Sequence, residues 1–566
     1  MKHDLAKDIL VVLVLAAAGV GLPALLAIGS GAFNLPHNDD FNFRRIAFGL
    51  FDTGTVELTG YSVMSLVGQL VFVQPFLWAS GGDAWAYGAS TAVLAMAGIA
   101  AAYHLVRTIL SRPFAAFSVL SLLYFPGFLV NTTSFMTDVP ALTGEIVCLA
   151  LGAIALERRG AERWRWLVGS LVAGCFAFSI REFALAAPIA VLACVGVSAP
   201  GQRVRVLLAG LATLIACGTI HVITAHLPGQ GSAQIDLSSV SIVRIQFAAA
   251  TLGLVLSPAL LLAMARWWRC WRAVDIVIGA FLGIFFLNDE IGRFISTGQV
   301  PGVLIGNLLE PVGAPGGVAM GYRPILLGSP IWEALNAIGL IAVVVGSGVL
   351  GASIGRWLRT GHWIRSGRLA DWLGSIEGLL AVFSLLYGAG FALFALVAPV
   401  YDRYLWPLSI PLTCLLLRPV AGGMQTEARA ASRRIAVATA GLLTTTLAAT
   451  SGAILLNSFA FDVAGWRMGE LAVSRGFAPG TVDAGMAWVG FQATGTANPG
   501  AQPSPVENWY DAWWPSFHLC AMVTSSLVDV PEYRLEYADI EAYRLLLFDG
   551  PQEPLYLYSV SGPGCP

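Results

Sequence analysis

Residues 9–29 read I-L-V-V-L-V-L-A-A-A-G-V-G-L-P-A-L-L-A-I-G, and residues 35–45, shortly after, read L-P-H-N-D-D-F-N-F-R-R. The first stretch carries no charge and has the roughly 20 residues that a helix needs to cross a bilayer. The second stretch concentrates two aspartates, one histidine and two arginines where that helix ends. Together they predict a membrane helix followed by a charged loop at the membrane surface.

The apolar character of residues 9–29 extends to the whole chain. Of its 566 residues, 57% are hydrophobic and 12% are charged, whereas about a quarter of the residues in soluble proteins carry charge. Recurring apolar runs predict an all-α polytopic membrane protein with about 13 transmembrane helices. These helices are expected near residues 9–29, 84–106, 114–130, 140–156, 166–180, 183–199, 206–224, 243–264, 274–288, 332–353, 378–398, 403–418 and 435–457.

Basic residues indicate the side of the membrane on which each loop lies, because short loops rich in Lys and Arg stay in the cytoplasm. Most of the basic residues fall in alternate loops, beginning with Lys2 and Lys7 ahead of the first helix. We therefore predict a multi-pass protein of the bacterial inner membrane, with a cytoplasmic N-terminus and a periplasmic C-terminal domain.

Several arginines on the predicted outer side lie beside acids, against this sorting rule. They occur as Asp39-Asp40 before Arg44-Arg45, as Arg181-Glu182, as Asp289-Glu290 before Arg293, and as Asp402-Arg403. A single pair can simply neutralise itself at a helix end, where arginine also reaches water. Four clusters on one side of the membrane instead favour a shared polar cavity.

The composition changes after Asn457, where acids become frequent and no further run can span a bilayer. We predict a transmembrane catalytic domain over residues 1–457 and a small periplasmic α/β domain over residues 458–566. An oxidising compartment permits a disulfide between its two cysteines, Cys520 and Cys565, the alternative being two unpaired thiols. In N-W-Y-D-A-W-W-P, residues 508–515, the aromatic side chains suit a domain core better than a sugar-binding surface.

The acids and arginines of the outer side suit the transfer of a sugar. Such a reaction needs a base for the acceptor hydroxyl and a cationic group for the departing phosphate. Candidate bases are Asp39, Asp40 and Asp138, and candidate phosphate ligands are Arg44, Arg45, Arg181, Arg293 and Arg403. A divalent cation, Mg²⁺ or Mn²⁺, between Asp39 or Asp40 and Asp138 would relieve the repulsion between the carboxylates, but the chemistry does not demand it.

Five short motifs resemble those of the GT-C polyprenyl-phosphate-dependent glycosyltransferases, the class of the protein O-mannosyltransferases and aminoarabinose transferases. They are H-N-D-D at 37–40, M-T-D-V-P at 136–140, I-R-E-F-A-L at 180–185, V-Y-D-R-Y-L-W-P-L at 400–408, and V-D-A-G-M-A-W-V-G-F at 482–491. Many members carry Asp-Glu where this chain has Asp39-Asp40. The resemblance implies a GT-C-like fold, a base or metal contact in the first-loop acidic pair, and Arg403, with Tyr404, at the donor phosphate.

An independent consideration also favours a lipid-linked donor. Nucleotide sugars are confined to the cytoplasm, so an outer active site must use a sugar that has already crossed the membrane. We therefore predict inverting transfer from a polyprenyl-phosphate sugar to a hydroxyl of a glycan, glycolipid or protein. His37 is expected to lie on the loop surface.

Other functions remain open. A transporter or flippase would place ionisable residues near mid-helix, and an O-antigen-type polymerase or ligase would use a diphosphate leaving group. The chain shows no GxxxxGK[ST], CxxC or HExxH motif, which argues against an ATP-driven pump. No soluble segment carries a basic run with interleaved aromatic residues, so we expect no nucleic-acid partner.

Overall fold

The structure is a computed structural model. It describes residues 2–61, 63–231, 240–267, 272–297, 301–306, 308–309, 328–360, 368–421, 430–499, 501, 510–525, 527, 533–538, 543–544, 552–561 and 565. Most of the Gly- and Pro-rich segment between residues 289 and 330, which the sequence suggests as a loop over a site or a simple connector, lies outside these ranges.

The membrane part of the chain is built from α-helices. The first half contains α1 (Lys2–Ala16), α2 (Leu22–Ser30), α3 (Asp40–Thr53), α4 (Val67–Ser80), α5 (Trp85–Arg107), α6 (Arg112–Leu123), α7 (Phe128–Asn131), α8 (Asp138–Glu157), α9 (Gly160–Phe178), α10 (Ala186–Ser198) and α11 (Arg203–Ala225). The second half contains α12 (Val243–Trp267), α13 (Ala273–Thr297), α14 (Ser329–Thr360), α15 (Arg368–Leu373), α16 (Ile376–Val397), α17 (Trp406–Ala421) and α18 (Ala430–Ser474).

Each predicted membrane segment overlaps at least one helix, although the segment predicted at 114–130 is divided between α6 and α7. The polytopic helical fold class is confirmed. Among the described residues, eight helices are long and apolar enough to cross a membrane. The first of them, Leu5–Ser30, joins α1 and α2 through the π-helical turn Ala17–Gly21. Other apolar helical stretches are shorter, among them Arg112–Leu123 and the part of α13 from Ala273 to Asn288. The number of crossings therefore stays a prediction.

The largest hydrophobic core runs through the middle of the helical bundle. Trp406, the first residue of α17, is fully buried and packs edge-to-face on Phe128 of α7, with 5.4 Å between the ring centroids. Edge-to-face aromatic pairs of this kind add about 0.5–1.5 kcal/mol to the free energy of burial. This packing holds the start of α17, and the charged motif just before it, against the first half of the bundle.

The C-terminal part of the chain forms a small mixed domain, as predicted for the fold class. After α18 come β1 (Val482–Asp483), α19 (Met486–Gln492), β2 (Ala521–Thr524), β3 (Tyr533–Ala538), β4 (Tyr543–Arg544), β5 (Gln552–Glu553) and β6 (Tyr556–Val560). Four strands form one sheet in the order β1-β2-β6-β3, in which the first pair is parallel and the others are antiparallel. Strands β4 and β5 form a second pair.

Two features of this domain bear on the expectations from the sequence. A disulfide joins Cys520 to Cys565 and fixes the end of the chain beside β2. Tyr510 and Trp514 are fully buried in the domain core, whereas Trp509 lies outside the described residues. The boundary expected at residue 457 falls inside α18, which continues without a break to Ser474.

Candidate functional site

The charged stretch after α2 makes a tight turn at residues 35–40 and leads directly into α3. We call this turn the elbow. Asn38 adopts a left-handed backbone with φ of 51°, a conformation that asparagine tolerates better than most residues. The backbone N–H of Asp40 donates to the carbonyl oxygen of His37, at 3.1 Å. The turn sends the side chains of Asp39 and Asp40 in different directions, so the two adjacent acids have separate surroundings.

Asp40 is buried completely and holds the elbow together. Its Oδ1 accepts the backbone N–H of His37 at 2.6 Å, and its Oδ2 accepts the backbone N–H of Phe135 at 3.0 Å. Oδ2 also accepts Nη2 of Arg44 at 3.0 Å. Burial raises the pKa of Asp40, while Arg44, His37 and the two backbone donors oppose that rise. Because Phe135 lies in the loop before α8, Asp40 ties the loop after α2 to the loop that carries Asp138.

His37 is buried, so the prediction of a surface position is wrong. Its Nδ1 lies 2.7 Å from Oδ2 of Asp462 on α18, and its Nε2 lies 2.9 Å from the carbonyl oxygen of Ala32. A carbonyl only accepts, so Nε2 carries a proton. Burial lowers the pKa of His37, but the hydrogen bond and charge of Asp462, together with Asp40, outweigh it and the pKa is raised. The His37 side chain therefore joins the elbow to α18.

Asp39 belongs to a second cluster, in which acids and arginines alternate. Nη2 of Arg403 lies 3.3 Å from Oδ2 of Asp39, and Nε of Arg403 lies 3.5 Å from Oδ1 of Asp138. On the other side of Asp138, Nη2 of Arg181 donates to Oδ2 at 3.1 Å. The four side chains form the row Arg181–Asp138–Arg403–Asp39, which we call the charge row. Four separate motifs of the sequence thus meet at one place.

Asp39 is the most accessible acid of the three predicted. Its side chain is 17% exposed, compared with 4% for Asp138 and 0% for Asp40. A base must be reached by the acceptor hydroxyl within hydrogen-bond distance. By this criterion the charge row presents one suitable carboxylate at its open end.

Tyrosine rings line the arginines of the charge row. The guanidinium carbon of Arg403 lies 4.9 Å from the ring centroid of Tyr401 and 5.7 Å from that of Tyr404. The guanidinium carbon of Arg181 lies 5.2 Å from the Tyr404 ring. Cation–π contacts of partly desolvated arginines contribute about 0.5–2 kcal/mol each. Tyr404, predicted as a donor-binding residue, therefore contacts both of the clustered arginines.

Asp402, beside Arg403 in the sequence, binds backbone groups and is not part of the charge row. It is fully buried, and its Oδ2 accepts the backbone N–H groups of Leu308 and Leu309 at 2.9 and 2.5 Å. Burial raises its pKa to about 7, although these backbone donors and Arg403 oppose the rise. Asp402 thus fastens the segment around Leu308 to the motif that carries Arg403.

The other predicted phosphate ligands lie outside the charge row. Arg44 is buried against Asp40 and donates to the carbonyl oxygens of Asn34 and Leu35. Arg45 donates to the carbonyl oxygen of Gly490 in α19, at 2.8 Å. Arg293 is exposed on α13, with its guanidinium carbon 5.9 Å from the ring centroid of Phe247. The side chains of Asp289 and Glu290 are outside what the structure describes.

The aspartates do not gather into one metal site among the described residues. No group of three carboxylates that includes Asp39, Asp40 and Asp138 has its oxygens within 4.8 Å of one another in those parts of the chain. The Arg403 guanidinium lies between Asp39 and Asp138, and Arg44 neutralises Asp40. The positions that a divalent cation would need between these acids are held by cationic side chains, so this donor set does not fit a shared metal.

An apolar groove opens beside the charge row, between α10 and α16. Its volume is about 260 Å³, and its lining includes Glu182, Phe183, Ile189, Tyr387 and Phe391. Phe183 contacts Tyr404, with 5.7 Å between the ring centroids, and the Tyr387 hydroxyl donates to the carbonyl oxygen of Tyr404. Glu182 follows Arg181 in the sequence, and Tyr404 follows Arg403. One end of the groove therefore lies beside the two clustered arginines.

Residues 72–228 match the model of the dolichyl-phosphate-mannose-protein mannosyltransferase family. This match confirms the resemblance suggested by the sequence motifs. The matched range includes Asp138 and Arg181 but not Asp39 or Arg403. No curated protein matches the chain.

Solved structures align with the chain at low similarity. ArnT from Cupriavidus metallidurans in its apo state aligns with 95% of this chain and 97% of its own, at 11% identity and a TM-score of 0.43. The same protein bound to undecaprenyl phosphate aligns over 100% and 99%, at 12% identity and a TM-score of 0.38. AglB from Archaeoglobus fulgidus, in complex with an inhibitory peptide and a dolichol-phosphate, aligns over 82% and 58%, at 13% identity and a TM-score of 0.38. With TM-scores below 0.5, these similarities do not determine what this chain does.

Proposed function

We propose that this multi-pass membrane protein is an inverting glycosyltransferase that moves a sugar from a polyprenyl phosphate to a hydroxyl acceptor. The observation that supports this most strongly is the charge row beside the apolar groove, which offers a carboxylate, two arginines and an apolar cleft at one place. The family match over residues 72–228 supports the same reaction class and a lipid-phosphate donor.

Asp39 acts as the base in this proposal. The acceptor oxygen attacks the anomeric carbon, and a carbon–oxygen bond forms on the face opposite the phosphate. The bond between the anomeric carbon and the phosphate oxygen breaks, and its electron pair leaves with the polyprenyl phosphate. The acceptor's proton passes to the carboxylate of Asp39, a type of transfer that contributes about 10²- to 10⁴-fold to rate.

Arg403 and Arg181 stabilise the departing phosphate. The charge that develops on the leaving oxygen is met by fixed cationic groups that need no rearrangement in the transition state. Both guanidiniums are buried and held by aspartates and by Tyr404, so their positions are set before the donor binds. Bidentate guanidinium contacts to phosphate are stronger and more directional than a single ammonium contact.

The groove between α10 and α16 holds the first isoprene units of the donor. Its lining is mainly aliphatic and aromatic, and Ile189 and Leu386 at its side are exposed on the bundle surface, where lipid tails have access. The charge row at its end then receives the phosphate. We assign the reaction to the periplasmic face, because loops rich in basic residues stay in the cytoplasm and the predicted topology puts those loops on the opposite side.

A transporter or flippase is the second candidate, and one observation favours it. Glu145 lies inside the membrane helix α8, is 97% buried, and has no hydrogen-bond partner for Oε2 among the described residues. Unpaired carboxyl groups at membrane depth are typical of substrate or proton pathways. Movement of a labelled polyprenyl-phosphate sugar across liposomes by purified protein, without a covalent product, would support this candidate.

The proposal is tested by mass spectrometry of envelope glycans and glycolipids from a deletion strain. The strain is complemented with wild type, with Asp39→Asn, or with Asp52→Asn, which changes an exposed acid on the same helix α3. We expect one sugar substituent to disappear on deletion and to return with wild type and Asp52→Asn but not with Asp39→Asn. Full restoration by Asp39→Asn, with equal protein in the membrane, would contradict the role of Asp39.

A further inference from the structure

One hydrogen bond to Asp39 comes from outside the motifs recognised in the sequence. The hydroxyl of Tyr61 donates to Oδ1 of Asp39 at 2.6 Å, while Arg403 contacts Oδ2. Each oxygen of the carboxylate therefore has a different partner, one neutral and one cationic. This asymmetry fixes the rotation of the carboxylate about its side chain.

The segment that carries Tyr61 is held from two sides. On one side, the backbone N–H groups of Leu58 and Gly60 donate to the carbonyl oxygens of Pro228 and Gly229, at 2.8 and 2.7 Å. On the other side, the backbone N–H of Ala497 in the C-terminal domain donates to the carbonyl oxygen of Thr59 at 2.6 Å. Tyr61 is thus supported by a short stretch of paired backbone instead of a free loop.

The ring of Tyr61 packs into the aromatic core of the C-terminal domain. Its centroid lies 5.6 Å from that of Trp513 and 6.4 Å from that of Trp514, in a nearly parallel arrangement with Trp514. On the membrane side it lies 5.7 Å from Phe41, two residues after Asp39. Phe41 in turn packs edge-to-face against Trp514. The aromatic cluster Tyr61–Phe41–Trp513–Trp514 therefore bridges the two domains, and its member Tyr61 contacts Asp39.

The glycine motif of the tail explains how the domain approaches so closely. Gly490, in the segment V-D-A-G-M-A-W-V-G-F, leaves no space for a Cβ atom, which would overlap the ring of Phe41. The carbonyl oxygen of the same glycine accepts a hydrogen bond from Arg45, on the helix that begins directly after Asp39. The motif thus packs α19 against α3 at the point where the candidate base is attached.

We propose that Tyr61 is a positioning residue for Asp39, and that the C-terminal domain acts in the reaction by holding Tyr61 in place. This inference rests on the proposed function of Asp39 as base. Without the Tyr61 hydroxyl, both oxygens of Asp39 are free to turn toward Arg403 and form a two-pronged ion pair. Such a pair occupies the lone pairs that must accept the proton of the acceptor.

The protonation state of Tyr61 suits this role. Burial, the neighbouring charge of Asp39 and its hydrogen bond together raise the pKa of Tyr61 well above its usual value. The phenol therefore stays a hydrogen-bond donor over the whole range of pH in which the enzyme works. A donor hydrogen bond of this kind favours the ionised form of the carboxyl group that accepts it.

The test compares Tyr61→Phe with wild type. We expect kcat to fall about 10- to 100-fold with little change in KM, because misplacement of a catalytic group by about 1 Å can cost that much. We also expect the acidic limb of the pH–rate profile to move to higher pH. Tyr87→Phe is the matched control, since its hydroxyl donates to the backbone carbonyl of Arg44 and not to the charge row.

A second measurement does not depend on turnover. The carboxylate stretching band of Asp39, obtained as the infrared difference between wild type and Asp39→Asn, should shift in Tyr61→Phe and stay in place in Tyr87→Phe. Trp514→Leu, which keeps the hydroxyl but loosens its support, should broaden the same band. An unshifted band, together with unchanged kcat and pH profile per folded molecule, would overturn the positioning role. A shifted band in a protein that transfers no sugar would instead count against the proposed function alone.

Discussion

The elbow after α2 contributes one aspartate to each of two acid–arginine clusters. The clusters contain the same residue types but differ in burial and in the donors that reach each carboxylate. Asp40 and Arg44 form a closed pair, fully buried, with both carboxylate oxygens occupied by donors from the elbow and from Phe135. Asp39, one residue earlier, belongs to the charge row and keeps 17% of its side chain exposed. The first cluster fastens loops together, and the second leaves a carboxylate for chemistry.

Asp39 and Asp40 are adjacent in the sequence but have different roles. The number of hydrogen-bond donors around each carboxylate therefore distinguishes these roles better than the sequence around it. A buried ion pair with every oxygen satisfied contributes conformational specificity, and breaking it leaves an unpaired charge. A carboxylate with one neutral donor and one shared arginine keeps capacity to accept a further proton. Variants of Asp39 and of Asp40 test these two roles separately.

Asp39→Asn should have the largest effect on activity. Loss of the base removes about 10²- to 10⁴-fold of transfer rate, because the amide cannot accept the acceptor's proton. The amount of protein in the membrane should stay normal, as in the exposed control Asp52→Asn. Transfer rates of purified protein, normalised to folded molecules, measure this. Activity within threefold of wild type would remove the distinction between the two clusters.

Asp40→Asn should act mainly on stability. Removing one partner of a buried, hydrogen-bonded pair costs about 3–5 kcal/mol, since Arg44 is left without its counter-charge. Thermal unfolding in detergent should therefore occur at a lower temperature than in Asp39→Asn. The double variant Asp40→Asn/Arg44→Met should recover part of the loss, because the unpaired charge is gone. Equal stability of Asp39→Asn and Asp40→Asn would contradict the closed character of this pair.

Gly390→Trp should narrow the groove and leave the charge row intact. Gly390 lines the groove between α10 and α16 and has free space where a side chain would begin. We expect KM for long-chain polyprenyl-phosphate donors to rise about tenfold, the scale of losing one or two buried methylene contacts. A donor with a short, water-soluble lipid should be used at the wild-type rate. An equal loss for both donors would show that the groove does not hold the lipid.

The smallest effect concerns the pH dependence of stability through His37. Its pKa is raised in the folded protein by Asp462 and Asp40, against burial and the charge of Arg44. Its contribution is fully present below about pH 6.5, its unfolded value, and is lost as pH rises through the folded pKa. We expect the unfolding temperature of wild type to fall over this range by more than that of His37→Gln. Parallel curves would show that His37 stays neutral.

Much of the site followed from local patterns, but its internal division did not. The basic loops and the acids at helix ends predicted that Asp39, Asp138, Arg181 and Arg403 lie on one side of the membrane, and the structure brings these four together. The same patterns grouped Arg44 and Arg45 with the phosphate ligands, since arginines beside acids look alike in sequence. Their separation depends on a turn at Asn38 that no motif specifies.

Some residues carried no signal that sequence reasoning could use. Tyr61 lies in an unremarkable loop, and Asp462 looks like an ordinary acid after a membrane helix, yet both contact the elbow from more than 20 residues away in sequence. His37 was assigned to the surface because a lone histidine in a polar loop is usually solvated. Its burial results from α18 passing beside the elbow, which is a long-range event.

The sequence by itself determined that this chain is a helical membrane protein with its acids and arginines at helix ends, because transfer of charge into lipid is too costly for most other placements. The tertiary structure was needed to tell which carboxylate is buried with both oxygens occupied and which stays accessible. That choice depends on which donors reach each carboxylate, and those donors come from the loop before α8, from the 402–405 motif and from a tyrosine held by the C-terminal domain. Contacts between such distant segments follow from packing of the whole bundle, which no local pattern records.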